Sequence, residues 1–242
     1  MTGQEIAVLF AAGFAAGGIN AAVGSGTLIT FPTLLALGVP PVLANGTNCL
    51  GLVPGSASGA YAFRDRLDRR AVRWGILVGV FAMAGALMVL ALPSEVFSAA
   101  VPWLILLAVA LVGLQPLLLK HLPEPSARSS AVALSGSGFY GGYFGAGQGI
   151  AFLAALAASG VTDLHTANGF KNVLAGVANF AAAIVFIIGG QVLWSAAAVL
   201  AVSSLLGGWI GGRITRRMPA SALRALIIVV GVVAAMSAFL GD

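Results

Sequence analysis

Charge is what this sequence lacks most. Of 242 residues, Asp, Glu, Lys and Arg together make up 8%, with 7 acidic and 12 basic side chains, whereas a soluble domain carries about a quarter. So little polar surface excludes a water-soluble globular domain. Cysteine is almost absent too. Cys49 stands alone, so no disulfide can form within the chain. His121 and His165 are the two histidines, and no group of His, Cys and carboxylates has metal-ligand spacing. Neither a metal, a cofactor nor an enzymatic constellation is expected. No phosphate-cradling loop of the nucleotide-binding type is present, so any work the protein does must draw on gradients. The segment Met1-Thr2-Gly3-Gln4-Glu5 has no basic stretch of the kind that opens a cleaved leader, and the first apolar run is expected to stay in the mature chain.

What is present is apolar. Hydrophobic residues make up 60% of the chain and the mean hydropathy is +1.03. Apolar runs fall near 6–23, 27–38, 41–62, 74–92, 96–119, 130–146, 149–160, 164–189, 191–212 and 222–240. A helix needs roughly 20 residues to cross the hydrocarbon. The runs 27–38 and 149–160 hold twelve residues each and reach only about 18 Å as helix, so they are expected as half-helices or re-entrant segments. The fold class is thus an all-α polytopic membrane protein. Its 33 glycines suit helices whose backbones pack closely. The net charge of +5 reflects membrane topology and not nucleic-acid binding, because the basic residues sit in short loops between apolar runs.

Those loops orient the chain. Arg64, Arg66, Arg69, Arg70 and Arg73 share one, Lys120 and Arg128 a second, and Arg213, Arg216, Arg217 and Arg224 a third. If all three are cytoplasmic, both termini lie outside, and the broken pair 6–38 enters from the opposite side to the broken pair 130–160. The halves then read as upside-down copies, residues 1–125 and 126–242, each with a broken helix pair and three spanning helices. Sequence echoes agree with this. Val23-Gly24-Ser25-Gly26-Thr27 aligns with Phe144-Gly145-Ala146-Gly147-Gln148, Leu37-Gly38-Val39 with Ser159-Gly160-Val161, and Ala44-Asn45-Gly46 with Ala167-Asn168-Gly169, at offsets of 121 to 123 residues. Inverted repeats with paired broken helices are a secondary-transporter architecture, with the substrate near the midplane.

The twelfth basic residue, Lys171, lies inside an apolar run, where insertion of a lysine costs about 2.5–3.5 kcal/mol. It is either a structural partner of Asp163, a lysine snorkelling to the interface, or a fixed positive charge for an anionic ligand. Asn168 and Asn172 share its helical face at i, i+3, i+4 spacing and Asn179 continues the stripe. In the first half Asn45, Thr47 and Asn48 hold the equivalent places, with Asn48 aligned on Lys171. Taken singly, each amide could equally be interhelical glue. The breaks Gly24-Ser25-Gly26 and Gly145-Ala146-Gly147-Gln148-Gly149 allow close backbone approach, and a helix starting after such a break offers N–H groups to an oxyanion. The expected site gathers Lys171, Asn168, Asn172, Asn45, Asn48, Ser25, Thr27, Gln148, Gly24, Gly26, Gly145 and Gly147 around one central cavity. The competing class is a membrane assembly factor or structural protein whose glycines serve packing alone.

These motifs carry a resemblance. Gly17-Gly18-Ile19-Asn20-Ala21-Ala22-Val23-Gly24-Ser25-Gly26, then Pro32, Gly38 and Ala44-Asn45-Gly46-Thr47-Asn48, resemble the N-terminal half of the sulfite exporter TauE/SafE family of membrane permeases. In the second half Gly141-Gly142-Tyr143-Phe144-Gly145-Ala146-Gly147, Ala167-Asn168-Gly169 and Gly207-Gly208-Trp209-Ile210-Gly211-Gly212-Arg213 agree as well. The resemblance implies a bacterial or archaeal inner-membrane permease for sulfite, sulfonates or related sulfur anions. The lipid bilayer and the small anion are then its partners, and a homodimer stays open. Gln148 and Leu153 stand where the family commonly has glycines and a proline, and Gly169-Phe170 where it has a Gly-Thr step. These departures point to a ligand with an apolar portion, or one wanting an added positive charge.

Overall fold

The computed structural model describes residues 1–120 and 126–211, together with helical residues 225, 228–233 and 235–236. Every regular element among them is helical. In chain order they are α1 (Gly3–Ala22), α2 (Thr27–Ala36), α3 (Pro41–Tyr61), α4 (Arg70–Ala91), α5 (Ser94–Lys120), α6 (Ala127–Tyr143), α7 (Gln148–Ala157), α8 (Leu164–Ile188) and α9 (Trp194–Leu206). A 3-10 turn spans Arg64–Arg66, and α9 runs on into a π-turn, Gly207–Gly211. The basic loop Arg213–Arg224 and His121 lie outside the described residues.

Local chemistry explains the boundaries. Thr2 caps α1 by accepting from the Glu5 N–H while Glu5 accepts from the Thr2 N–H, and Ser126 and Ser129 exchange the same pair of bonds at the start of α6. Such boxes satisfy donors that a helix start leaves unpaired. The half-helices α2 and α7 are 10 residues long, about 15 Å at 1.5 Å per residue, half of a hydrocarbon core. Four other helices, Gly3–Ala22, Arg70–Ala91, Ser94–Leu114 and His165–Ile188, are long and apolar enough to cross a membrane. Helix α3 has the length, at 21 residues, but carries buried Asn45, Thr47, Asn48 and Ser56. On α4, Val72, Ile76, Val80 and Leu87 are well exposed, as an apolar face turned to lipid would be.

The core is a bundle around α3 and α8, which pack on each other. Helix α9 lies on α1 and α3, and α4 lies on α6 and α8. Glycines make these approaches close: a Cβ on Gly142 would run into the Ala82 carbonyl of α4, and one on Gly207 into the Phe14 carbonyl of α1. Two apolar clusters fill the remainder. One surrounds α2 and the C-terminal end of α8, with Leu28, Phe31, Phe97, Phe144, Ala182 and Phe186. The other surrounds α7 and the earlier part of α8, with Leu134, Phe152, Leu156, Phe170 and Leu174.

Candidate functional site

The breaks place the site. At the end of α1 the N–H groups of Val23 and Gly24 both donate to the Ile19 carbonyl, at 2.7 and 3.2 Å, and Gly24 takes φ +81°. At the end of α6, Phe144 and Gly145 both donate to Tyr140, at 3.0 and 3.1 Å, and Gly145 takes φ +75°. A left-handed residue there ends a helix while satisfying its last carbonyls, and glycine adopts it without penalty. The two breaks meet: the Gly149 N–H donates to the Gly24 carbonyl at 3.0 Å.

Lys171 lies against this junction. Its side chain is fully buried, which removes the snorkelling alternative. Its Nζ donates to the carbonyls of Asn20 at 3.2 Å and Ala21 at 3.3 Å, in the last turn of α1. The negative end of a helix suits a cation. Asp163 is elsewhere: it is exposed and caps α8, accepting from the Thr166 N–H and hydroxyl at 2.8 and 2.7 Å. Among the described residues the ion pairs are Arg64 with Asp65 and Arg70 with Asp68, so the lysine has no carboxylate partner there.

The other predicted residues are buried, apart from half-buried Asn168. Asn45 Nδ2 donates to the Tyr143 carbonyl at 2.9 Å, at the end of α6. Asn48 accepts from the Thr30 hydroxyl and donates to Thr27 Oγ1 at 3.2 Å. Gln148 Nε2 donates to Asn179 Oδ1 at 2.9 Å. Among the described residues six buried side-chain polar atoms lack a hydrogen-bonding partner: Ser25 Oγ, Asn45 Oδ1, Gln148 Oε1, Asn168 Oδ1, Asn172 Nδ2 and Asn179 Nδ2. Five belong to residues expected at the site, and Asn179 extends their stripe. Buried polar atoms are normally paired, and these fall on the turn before α2 and on α3, α7 and α8. Gly24, Gly145 and Gly147 take left-handed conformations, but Gly26 does not; it has φ −59° and faces the Ala16 carbonyl closely.

Two residues absent from the expected set belong with it. Asn20 is buried and donates to Ser56 Oγ at 3.3 Å, and Thr30 is buried against Asn48. An amide inside apolar α1 and a threonine one turn after Thr27 were the available signals. The described grooves, of about 420, 510 and 480 Å³, lie between α3 and α9, between α4 and α8, and among α5, α6 and α7. Lys171 and the asparagines line none of them; apart from half-buried Asn168 these side chains are buried inside the bundle.

The profile of the sulfite exporter TauE/SafE family matches residues 9–238. The chain belongs to that family. A TauE/SafE relative from Haemophilus influenzae, named "probable membrane transporter protein", is 33% identical over 238 residues, covering 93% of this chain and 90% of its own. A Sinorhizobium protein, "probable membrane transporter protein ORF9", is 30% identical, covering 96% and 91%. The Escherichia coli K12 "probable membrane transporter protein YfcA" is 29% identical, covering 94% and 87%. No solved structure gives a significant match. Membership and the apolar helices make this a multi-pass membrane protein of a transporter family.

Asp163 can be tested apart from the site. The Thr166 hydroxyl and N–H hold its carboxyl below the usual range, so its contribution is present above the ordinary carboxylate pKa and is lost as pH falls through the lowered one. Asp163→Ala is expected to lower the melting temperature in detergent, because a lost N-cap weakens a helix locally.

Proposed function

We propose that the protein is a secondary transporter of a small sulfur-containing oxyanion, sulfite or an organosulfonate, in the cell's inner membrane. The observation that carries this is the buried Lys171 side chain, whose Nζ is bonded, among the described residues, to helix-end carbonyls alone, at the meeting point of two interrupted helix pairs. A charge at that depth is expensive and functional by default. Around it, Asn45, Asn48, Asn168, Asn172, Ser25, Thr27 and Gln148 provide neutral donors and acceptors, as a site would need that must release its anion after each turnover.

Alternating access between two inverted repeats, residues 1–125 and 126–242, is the mechanism we infer. Helix contacts support it: exchanging α1, α2, α3 and α4 with α6, α7, α8 and α9 turns α1–α9 packing into α6–α4 packing, and α3–α9 into α8–α4, and both members of each pair occur. Polar bonds support it too. Asn45 of α3 reaches the end of α6, and Lys171 of α8 reaches the end of α1. The apolar clusters around α2 and α7 then serve as the gates, opening in turn. Flux of sulfite, sulfoacetate or an aromatic sulfonate into proteoliposomes tests the proposal; rates equal to protein-free liposomes for all three would overturn it.

The inverted arrangement requires the Arg64–Arg73 and Lys120–Arg128 loops in the cytoplasm and both termini outside. Cysteines placed at Ser94 and Ser126 in a Cys49→Ala background are expected to react with an impermeant thiol reagent from opposite sides of the membrane. Labelling of both from one side would refute the topology.

A further inference from the structure

The two breaks close alike and restart differently. In the second, Gly147 is left-handed (φ +71°), the Gln148 N–H donates to the Gly145 carbonyl at 3.2 Å and the Gly149 N–H to the Gly24 carbonyl at 3.0 Å. In the first, Gly26 is right-handed (φ −59°). There, among the described residues, no acceptor takes the N–H groups of Ser25, Gly26 and Thr27. Ser25 Oγ, in a side chain that is 1% exposed, is unpartnered as well. Three consecutive N–H groups and a hydroxyl are therefore unmatched at the start of a 10-residue helix, whose dipole adds positive potential in the same place. Buried N–H groups left this way are rare in folded proteins.

Given anion transport as proposed, we infer that the substrate's charged end is seated at the α2 break alone, on the N–H groups of Ser25, Gly26 and Thr27 and on Ser25 Oγ, so that each chain binds one anion. The α7 break does not duplicate it: the Ala146 and Gly147 N–H groups likewise have no acceptor among the described residues, but the Gln148 N–H is bonded to the Gly145 carbonyl and Ala146 brings no hydroxyl. The site also selects chemistry. Three neighbouring N–H donors match the three oxygens of a sulfite or an –SO3 end, whereas a carboxylate presents two. Lys171 is poised to add its charge: its Cδ lies 3.3 Å from where a Gly24 Cβ would stand, and its Nζ is on the carbonyls of the turn just before the break. Rotation about its side-chain bonds exchanges those carbonyls for the anion. Gln148 and Asn179, bonded to each other, then sit on the unused side and are free to contact the remainder of a larger sulfonate.

Two measurements on the full chain in detergent test this. Titration calorimetry with methanesulfonate should give one site per chain and tighter binding than acetate, and Ser25→Ala should bind roughly tenfold more weakly, the loss of one hydrogen bond to a charged group. Hydrogen exchange of the wild-type protein, which does not depend on any variant folding, should show methanesulfonate protecting amides 25–27 and not 146–149. Two equivalent sites, Ser25→Ala binding like wild type, or protection centred on 146–149 would overturn the inference while leaving anion transport standing. A wild-type protein that binds neither methanesulfonate nor sulfite would remove the transport proposal and this one together.

Discussion

Lys171→Met is expected to weaken binding of sulfite or methanesulfonate by at least about a hundredfold, consistent with the roughly 2–5 kcal/mol lost when one member of a buried, hydrogen-bonded charge pair is truncated. The variant should still insert and fold. Methionine keeps the apolar length of the side chain and removes the cost of placing an ammonium in the membrane, so its melting temperature should be no lower than that of wild type by more than a few degrees. What it leaves behind is modest: the Asn20 and Ala21 carbonyls lose one donor, but carbonyls in a last helical turn tolerate this better than buried N–H groups do. Lys171→Arg should retain part of the binding, since the charge survives while the planar fork needs different geometry. Calorimetry for affinity and thermal denaturation for stability separate the roles. If Lys171→Met binds the anion like wild type and only loses stability, the lysine is a tie between α8 and α1 and the site lies elsewhere.

The helices were largely legible and their mutual bonds were not. Hydropathy ran the two short segments to 27–38 and 149–160; the helices end at Ala36 and Ala157 because Gly38 and Gly160 turn left-handed just beyond them. A glycine past an apolar run signals that stop, since it is local chemistry. The stripe Asn168, Lys171, Asn172, Asn179 was visible from helical spacing, and the last three are buried. Lys171's partners were not visible. Backbone carbonyls carry no residue identity, so nothing in Asn20 or Ala21 announces that a lysine 150 residues later will sit on them. The same limit applies to the breaks. Their glycine motifs look equivalent in sequence, and what separates them is backbone geometry: Gly147 is left-handed where Gly26 is right-handed, the Gln148 N–H is bonded where the Thr27 N–H has no acceptor among the described residues, and the Gly149 N–H reaches Gly24 where the two hairpins dock. Helix-start N–H groups for an anion are expected at both breaks; among the described residues three consecutive ones and the Ser25 hydroxyl are unmatched at α2, and two, on Ala146 and Gly147, at α7.

That docking carries the second large effect. Gly149→Ala is expected to destabilise the protein by roughly 2–4 kcal/mol, adding the cost of overpacking to that of a lost backbone hydrogen bond. The new Cβ would stand 2.7 Å from the Gly24 carbonyl oxygen and 2.9 Å from its carbon. Both obstacles are backbone, and Gly24 is itself fixed in a left-handed turn at the end of α1, so no side chain can rotate away. Relief must come from separating the hairpins, which breaks the Gly149 to Gly24 bond and draws Lys171 off the α1 carbonyls. The variant should thus lose thermal stability and anion affinity together. Gly136→Ala is the matched control: it lies on α6, where a Cβ would meet nothing within 4 Å, and alanine favours helix over glycine by about 1 kcal/mol, so its melting temperature should hold or rise. Apparent melting temperatures in detergent suffice, because the comparison is between variants under one set of conditions. Equal stability of Gly149→Ala and wild type would mean that the two breaks do not touch in the membrane.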